Sequence, residues 1–242
     1  MNITDTVNSK INRLSKGYVF TVDDFSAEVD SREATIKALN RMVTDGKIEK
    51  LSKGRFYKPE KTPFGNLEPD EYQVAKDLLE KNGKLIGYIT GFGIYNKLGL
   101  TTQMSFVIQI GRNETRPALK RDRYRISFIK QKNTITKENI PLLQILDAIR
   151  YIKKIPDTDT EFLVKRFLQI LRTLSNKEQA LMVRLSLKYP PATRTLLGAF
   201  LEEIGIADFK ESLKKSLNPL SKYKLGIPKE ILKTAENWNI KI

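Results

Sequence analysis

Acid–base and metal chemistry has a short menu in this chain, because histidine and cysteine are both absent. Without histidine there is no imidazole general base and no serine–histidine triad. Without cysteine there are no thiolate nucleophiles, disulfides or cysteine-held zinc. Carboxylates, lysine, tyrosine or an oxygen-held magnesium ion remain. The best grouping is Pro156-Asp157 followed by Glu161 and Lys165, which has the composition of a metal-dependent nuclease site. Its spacing argues otherwise. Glu161 and Lys165 are four apart on a predicted helix, not two apart on a strand, and that spacing makes an i,i+4 ion pair. The glycine-dense run from Gly87 through Gly91 to Gly93 lacks a glycine–lysine–serine/threonine ending, and GxGxxG does not occur. It reads as close backbone packing at a turn. No Gly-Ser followed by paired aspartates is present. The chain is expected not to be an enzyme and to use no cofactor or metal.

Binding chemistry is better represented. The 242 residues carry 43 Lys+Arg against 28 Asp+Glu, a net charge of +15 that favours phosphate backbones or acidic partners. The charge is concentrated. Residues 32–61 hold nine basic and four acidic residues, and residues 112–132 hold eight and two, whereas residues 1–31 hold three and five. The first stretch offers Ser31, Arg32, Lys37, Arg41, Lys53 and Arg55 as DNA-contacting residues. The second offers Arg121, Arg123 and Arg125. This second stretch reads as another nucleic-acid surface, a docking face for an acidic partner, or a solvated loop. Its two aromatics, Tyr124 and Phe128, sit at strand positions, which gives little support to stacking on single strands.

The elements that must position these residues come next. Ile3, Val7, Ile11 and Leu14 recur at helical spacing over residues 2–14, and Gly17 ends the pattern. Tyr18-Val19-Phe20 is β-prone. Thr21 reads as the cap of a short helix over 22–29, with Asp23 and Asp24 in its first turn. Ser31 caps a third helix, 32–45, closed by Gly46. Ile36, Leu39, Met42 and Val43 are expected to face the core. Lys37, Arg41 and Thr44 are expected to face out beside Ala34 and Ala38, small residues that let a helix approach a DNA groove. Lys47–Leu51 and Phe56–Pro59 then read as strands joined by a tight basic turn with Gly54 able to take positive φ, which makes a wing. Helix, short helix, capped basic helix and basic hairpin in about 60 residues is the order of a winged helix-turn-helix.

Thr62-Pro63-Phe64-Gly65-Asn66 reads as a turn-rich linker. The expected domains are therefore 1–61, a DNA-binding winged helix, and 67–242, an effector region with a small sheet over 84–132 and helices over 139–242. Helices are predicted for 70–81, 94–98, 140–153, 159–174, 177–187, 193–204, 208–217 and 229–238, and strands for 104–110 and 124–130. The fold class is α+β: a winged helix-turn-helix, then a mixed region with a small sheet and a C-terminal helical bundle. No apolar run is long enough to span a bilayer, and the polar opening Met1-Asn2-Ile3-Thr4-Asp5 is no signal sequence, so a cytoplasmic location is expected.

Two segments carry a family resemblance. Ser31-Arg32-Glu33-Ala34, Lys37-Ala38-Leu39-Asn40-Arg41-Met42, Gly46-Lys47-Ile48 and Lys53-Gly54-Arg55-Phe56-Tyr57 form the first. Tyr88 to Gln103, with Thr90-Gly91 and Leu98-Gly99-Leu100-Thr101-Thr102-Gln103, forms the more specific second. Together, over about residues 10–130, they resemble the AbiEi-like antitoxins of bacterial abortive-infection systems. The resemblance implies a winged domain that binds double-stranded promoter DNA at inverted repeats and represses its own operon. It also implies a C-terminal region that counteracts a nucleotidyltransferase-like toxin encoded next door, without requiring a stable complex. The alternative is a plain winged-helix regulator whose C-terminal region senses a ligand or dimerises.

Overall fold

The computed structural model describes residues 2–241 and is α+β, divided into two compact units. The first comprises residues 1–78 together with 119–125, and the second comprises 79–118 together with 126–242.

The first unit opens with α1 (Ile3–Arg13), whose N-terminus is capped by the Asn2 side chain. Then come β1 (Val19–Thr21), a 3₁₀ turn (Val22–Phe25), α2 (Arg32–Thr44), β2 (Glu49–Ser52) and β3 (Arg55–Tyr57). The strands make an antiparallel sheet in the order β1-β3-β2, with Phe20 opposite Phe56 and an irregularity between Lys50 and Ser52. Val7, Ile11, Phe20, Phe25, Leu39, Met42, Ile48 and Phe56 close the core. Phe20 stacks on Phe56 and meets Phe25 edge-on. The expected short helix at 22–29 is only one 3₁₀ turn, opened by the Asp24 carboxylate accepting from the Thr21 amide and hydroxyl and ended where the Ser26 amide and hydroxyl return to the Asp23 carbonyl at 3.2 and 2.8 Å.

The expected linker and boundary at 62–66 are corrected. Thr62 to Gly65 is the turn of a hairpin, β4 (Glu60–Thr62) with β5 (Gly65–Leu67). The first unit then runs on through most of α3 (Glu71–Leu79), with Val74, Ala75 and Leu78 buried. The Gln73 side chain accepts the Val19 amide at 3.2 Å, which ties α3 to the sheet edge. Domains 1–61 and 67–242 therefore do not coincide with the compact units.

The second unit has a small hairpin, β6 (Glu80–Lys81) and β7 (Lys84–Leu85), then β8 (Gly87–Thr90), α4 (Phe92–Lys97) and β9 (Val107–Arg112). β10 (Leu119–Arg121) and the start of β11 (Tyr124–Lys130) count with the first unit, while β11 joins β9 and β8 in the sheet of the second unit. Gly91 caps α4 at φ +78°, where a Cβ would come within 2.8 Å of the Gln109 side chain. Gly91 thus makes a tight turn against β9.

The helices α5 (Asn139–Arg150), α6 (Thr160–Arg172), α7 (Asn176–Ser186) and α8 (Pro191–Glu203) lie where their apolar periodicity predicts them. Their core includes Leu143, Leu146, Val164, Phe167, Leu197 and Phe200, with Phe167 stacked on Phe200. Ser175 and Glu178 form a capping box on α7. The predicted 208–217 helix shortens to α9 (Lys210–Lys215), and 229–238 yields only a 3₁₀ turn over Lys233–Trp238. β12 (Tyr223–Lys224) and β13 (Ile240–Lys241) pair in parallel. None of these helices is long and apolar enough to cross a membrane.

Candidate nucleic-acid interface

Which face of α2 looks outward follows from its neighbours. Thr35, Ala38, Leu39 and Met42 are buried, spaced i, i+3, i+4 and i+7. Ile36 is 37% exposed and lies on the outer face with Arg32, Lys37, Asn40, Arg41 and Thr44. Two expectations are corrected here: Ile36 is not a core residue, and Ala38 does not front a groove. The small Thr35 and Ala38 sit inward because α1 and the 3₁₀ turn pack closely against that side of α2.

The outer face of α2 borders a cleft of about 420 Å³, whose other wall is β1 and the β2–β3 turn. Ile36 and Asn40 line it from the helix, and Lys50, Lys53 and Arg55 line it from the hairpin. Among the described residues Asp23 is its one carboxylate, and it forms an ion pair with Arg32. Ser31 acts as the α2 cap, its hydroxyl accepting the Ala34 amide at 3.3 Å. Lys37 meets Glu33 at 2.9 Å, with both side chains well exposed. Arg41 and Lys53 are exposed, and their side chains make no hydrogen bond or ion pair among the described residues. Such a face offers an amide and a guanidinium, which suit bidentate contacts to base edges, and mobile cations, which suit phosphates.

Other expected contacts are occupied within the first unit. Arg121 is buried, with Nη1 donating to the Val74 carbonyl at 2.7 Å and to Asp77 Oδ1 at 2.6 Å. Its Nη2 donates to Asp77 Oδ2 at 2.8 Å, and Arg55 meets the same carboxylate at 2.7 Å. Burial alone would raise the Asp77 pKa, but the Arg121 and Arg55 hydrogen bonds and charges hold it below its ordinary value. Arg121 is therefore removed from the DNA-contacting set, and Arg55 anchors the wing. Arg123 meets Glu68 at 2.7 Å and lies over the Tyr124 ring. Arg125 remains exposed. The basic composition of 112–132 thus hides two roles, internal anchoring and surface charge.

Sequence reasoning missed Asn40, Ile36 and Lys50. The signal was present in the 35, 38, 39, 42 spacing, which fixes the inward side of α2 and leaves 36 and 40 outside.

The strongest perturbation of a carboxyl lies in the second unit. Asp147 on α5 is 1% exposed. The Tyr88 hydroxyl donates to its Oδ2 at 2.6 Å and the Tyr189 hydroxyl to its Oδ1 at 2.9 Å. The Gln131 amide donates to both tyrosine oxygens, at 2.8 and 2.9 Å, and Asn133 donates to Gln131 Oε1. Burial pushes the Asp147 pKa up to about 6, against the lowering effect of the two tyrosine hydrogen bonds. Burial and the Asp147 charge push both phenols well above their ordinary values. Each of these groups has its partners inside the unit, so the cluster fastens β8, β11, α5 and the α7–α8 junction to one another. Gly111 belongs to the same device: a Cβ there would stand 2.4 Å from the Tyr88 ring.

Glu161 and Lys165 form the expected i,i+4 pair at 2.6 Å, both well exposed. Among the described residues, no group of three or more acidic residues is placed to hold a metal ion.

No functionally curated protein matches the sequence. Among solved structures, the crystal structure of the Rv2827c protein from Mycobacterium tuberculosis is similar, with a TM-score of 0.59 at 12% identity. The match covers 90% of this chain and 82% of that one. It supports the α+β architecture and nothing finer. The sequence also matches a family of unknown function, DUF6088, over residues 6–181, which includes the whole α2–wing region and most of the second unit. With the match running over well more than half its length, this chain belongs to the DUF6088 family.

Proposed function

We propose that the chain binds double-stranded promoter DNA through α2 and the β2–β3 wing, and that it acts as an autoregulatory repressor and antitoxin. The observation that carries the DNA half is the order α1, β1, 3₁₀ turn, α2, β2, wing, β3. In this order the outer face of α2 presents Lys37, Asn40 and Arg41 beside Lys50 and Lys53. A helix presented this way suits the major groove, and a basic hairpin beside it suits the flanking phosphates. The revised contact set is Arg32, Lys37, Asn40, Arg41, Lys50 and Lys53, with Arg125 as an outlying phosphate contact. The antitoxin half rests on the resemblance of residues 88–103 to AbiEi-like proteins, with a co-encoded nucleotidyltransferase-like toxin as the partner counteracted.

The test is fluorescence anisotropy with the chain's own promoter fragment. Arg41→Ala and Asn40→Ala should each cost about 1–3 kcal/mol, roughly 5- to 150-fold in affinity, and relax sequence preference at one base pair. Unchanged affinity in the Asn40→Ala, Arg41→Ala double variant would remove the DNA reading. The antitoxin half is tested separately by co-expressing the full chain with the adjacent open reading frame. Rescue of growth supports it, and a neighbour that is not toxic overturns it.

A further inference from the structure

A second cleft, of about 830 Å³, lies wholly within the second unit. Lys130, Lys132, Arg150, Lys188 and Arg194 line it, and among the described residues no carboxylate does. They come from four places: the end of β11 and the residues beyond it, the last turn of α5, the α7–α8 junction and the first turn of α8. Five cations drawn to one concavity raise its positive potential and favour anions there. Two further features point the same way. The N-terminus of α8, a 13-residue helix, opens onto the cleft through Pro190 and Pro191, adding the positive end of its dipole. Arg194 donates Nη1 to the Ser216 carbonyl at 2.7 Å, which fixes its guanidinium at the cleft wall.

We infer that this cleft binds a small, multiply charged phosphate ligand, either a nucleoside polyphosphate or an inorganic polyphosphate. The volume falls within the range of small-molecule sites, and the cations converge on a cavity where nucleic-acid backbones call for cations strung along a ridge. Leu187, 44% exposed, and Pro190 give the cleft an apolar wall against which a base can lie. Tyr189 and Gln131 also line it; Gln131 donates to the Tyr189 hydroxyl and that hydroxyl donates to Asp147, so an occupied cleft borders the buried network. This inference stands apart from the DNA reading, since none of its residues belongs to the first unit.

The experiment is isothermal titration calorimetry on the full chain with ATP, sodium tripolyphosphate, adenosine and a 12-nucleotide single-stranded RNA. Saturable 1:1 binding of ATP or tripolyphosphate is expected, without binding of adenosine. Lys132→Gln with Lys188→Gln should weaken it at least tenfold. Lys165→Gln with Lys177→Gln removes the same charge from exposed sites elsewhere and should leave it unchanged. Tighter binding of ATP than of tripolyphosphate assigns the nucleoside form, and equal binding assigns the inorganic one. The inference is overturned if neither phosphate probe saturates, if only the RNA binds, if adenosine binds as well as ATP, or if the two double variants behave alike. Matched melting curves for both variants exclude misfolding as the cause of any loss.

Discussion

Asp147 and Asp77 respond to pH in opposite senses, and the signs follow from their partners. Asp147 has its folded-state pKa raised from 3.8 to about 6, so the folded chain holds that proton more tightly than the unfolded chain. Between those two values the folded state binds more protons, and stability falls as pH rises from about 4 to about 6. A shift of about 2 units corresponds to about 3 kcal/mol. Urea denaturation at pH 4.5 and 7 should show about 2 kcal/mol of this loss in the native chain, since about 1 kcal/mol has gone by pH 4.5, and a flatter profile in Asp147→Asn. An unchanged profile in that variant would place the titration elsewhere. Asp77 has a lowered pKa, so its contribution is present above about 3.8 and fades as pH falls below that. Arg121→Ala removes three hydrogen bonds to Val74 and Asp77. Asp77 is 45% exposed, so solvent screens the pair, and the loss should be about 1–3 kcal/mol. The same variant should leave intrinsic DNA affinity nearly unchanged at temperatures where it is folded, which separates anchoring from contact.

At the scale of elements, the wing and the β8–β9 pair make different predictions. Lys53 sits exposed at the wing, so Lys53→Ala should weaken all duplexes alike and lower the salt slope of log K by about 1. Arg55→Ala loosens the wing from Asp77 and should lower melting temperature as well as affinity. In the other unit, Gly111→Ala drives a methyl into the Tyr88 ring and should cost about 1–3 kcal/mol by overpacking. Near-ultraviolet circular dichroism of the displaced tyrosine would report it. These elements also show where the sequence was readable. The amphipathic helices 139–150, 160–172, 176–186 and 191–203 were legible because their apolar spacing is strict and their caps are strong. The wing was legible from Ser52-Lys53-Gly54-Arg55. The outward face of α2 was not, because Ile36 is aliphatic yet exposed and Thr35 is polar yet buried, and hydropathy alone assigns both to the wrong side. Arg121 was misplaced for a related reason. Charge density along the chain does not say whether a guanidinium meets solvent or a carboxylate as distant in sequence as that of Asp77, which only tertiary pairing decides.

For the whole molecule, the division into units sets what can be cut. Residues 1–61 contain the sheet and α2 but lack α3, which buries Val74, Ala75 and Leu78 and meets β1 through Gln73. Burying three such side chains contributes about 3 kcal/mol or more, so fragment 1–61 should melt about 10–20 °C below the corresponding transition of the full chain. A fragment 1–78 should recover part of this and still lack Arg121. Scanning calorimetry of the two fragments and the full chain gives the order. Equal melting of 1–61 and 1–78 would show that α3 adds nothing to the first unit.

The return of residues 119–125 to the first unit has a consequence for biosynthesis. The chain leaves that unit after residue 78 and completes it only about 47 residues later. At about 5–20 residues per second, that interval is about 2–10 s of translation. During it, Asp77 waits for Arg121, and the first unit stays unfinished on the ribosome. A nascent or prematurely terminated chain that has made α2 and the wing but not residue 121 therefore carries a first unit short of its Asp77–Arg121 pair, and should be cut by proteases more readily than the finished unit.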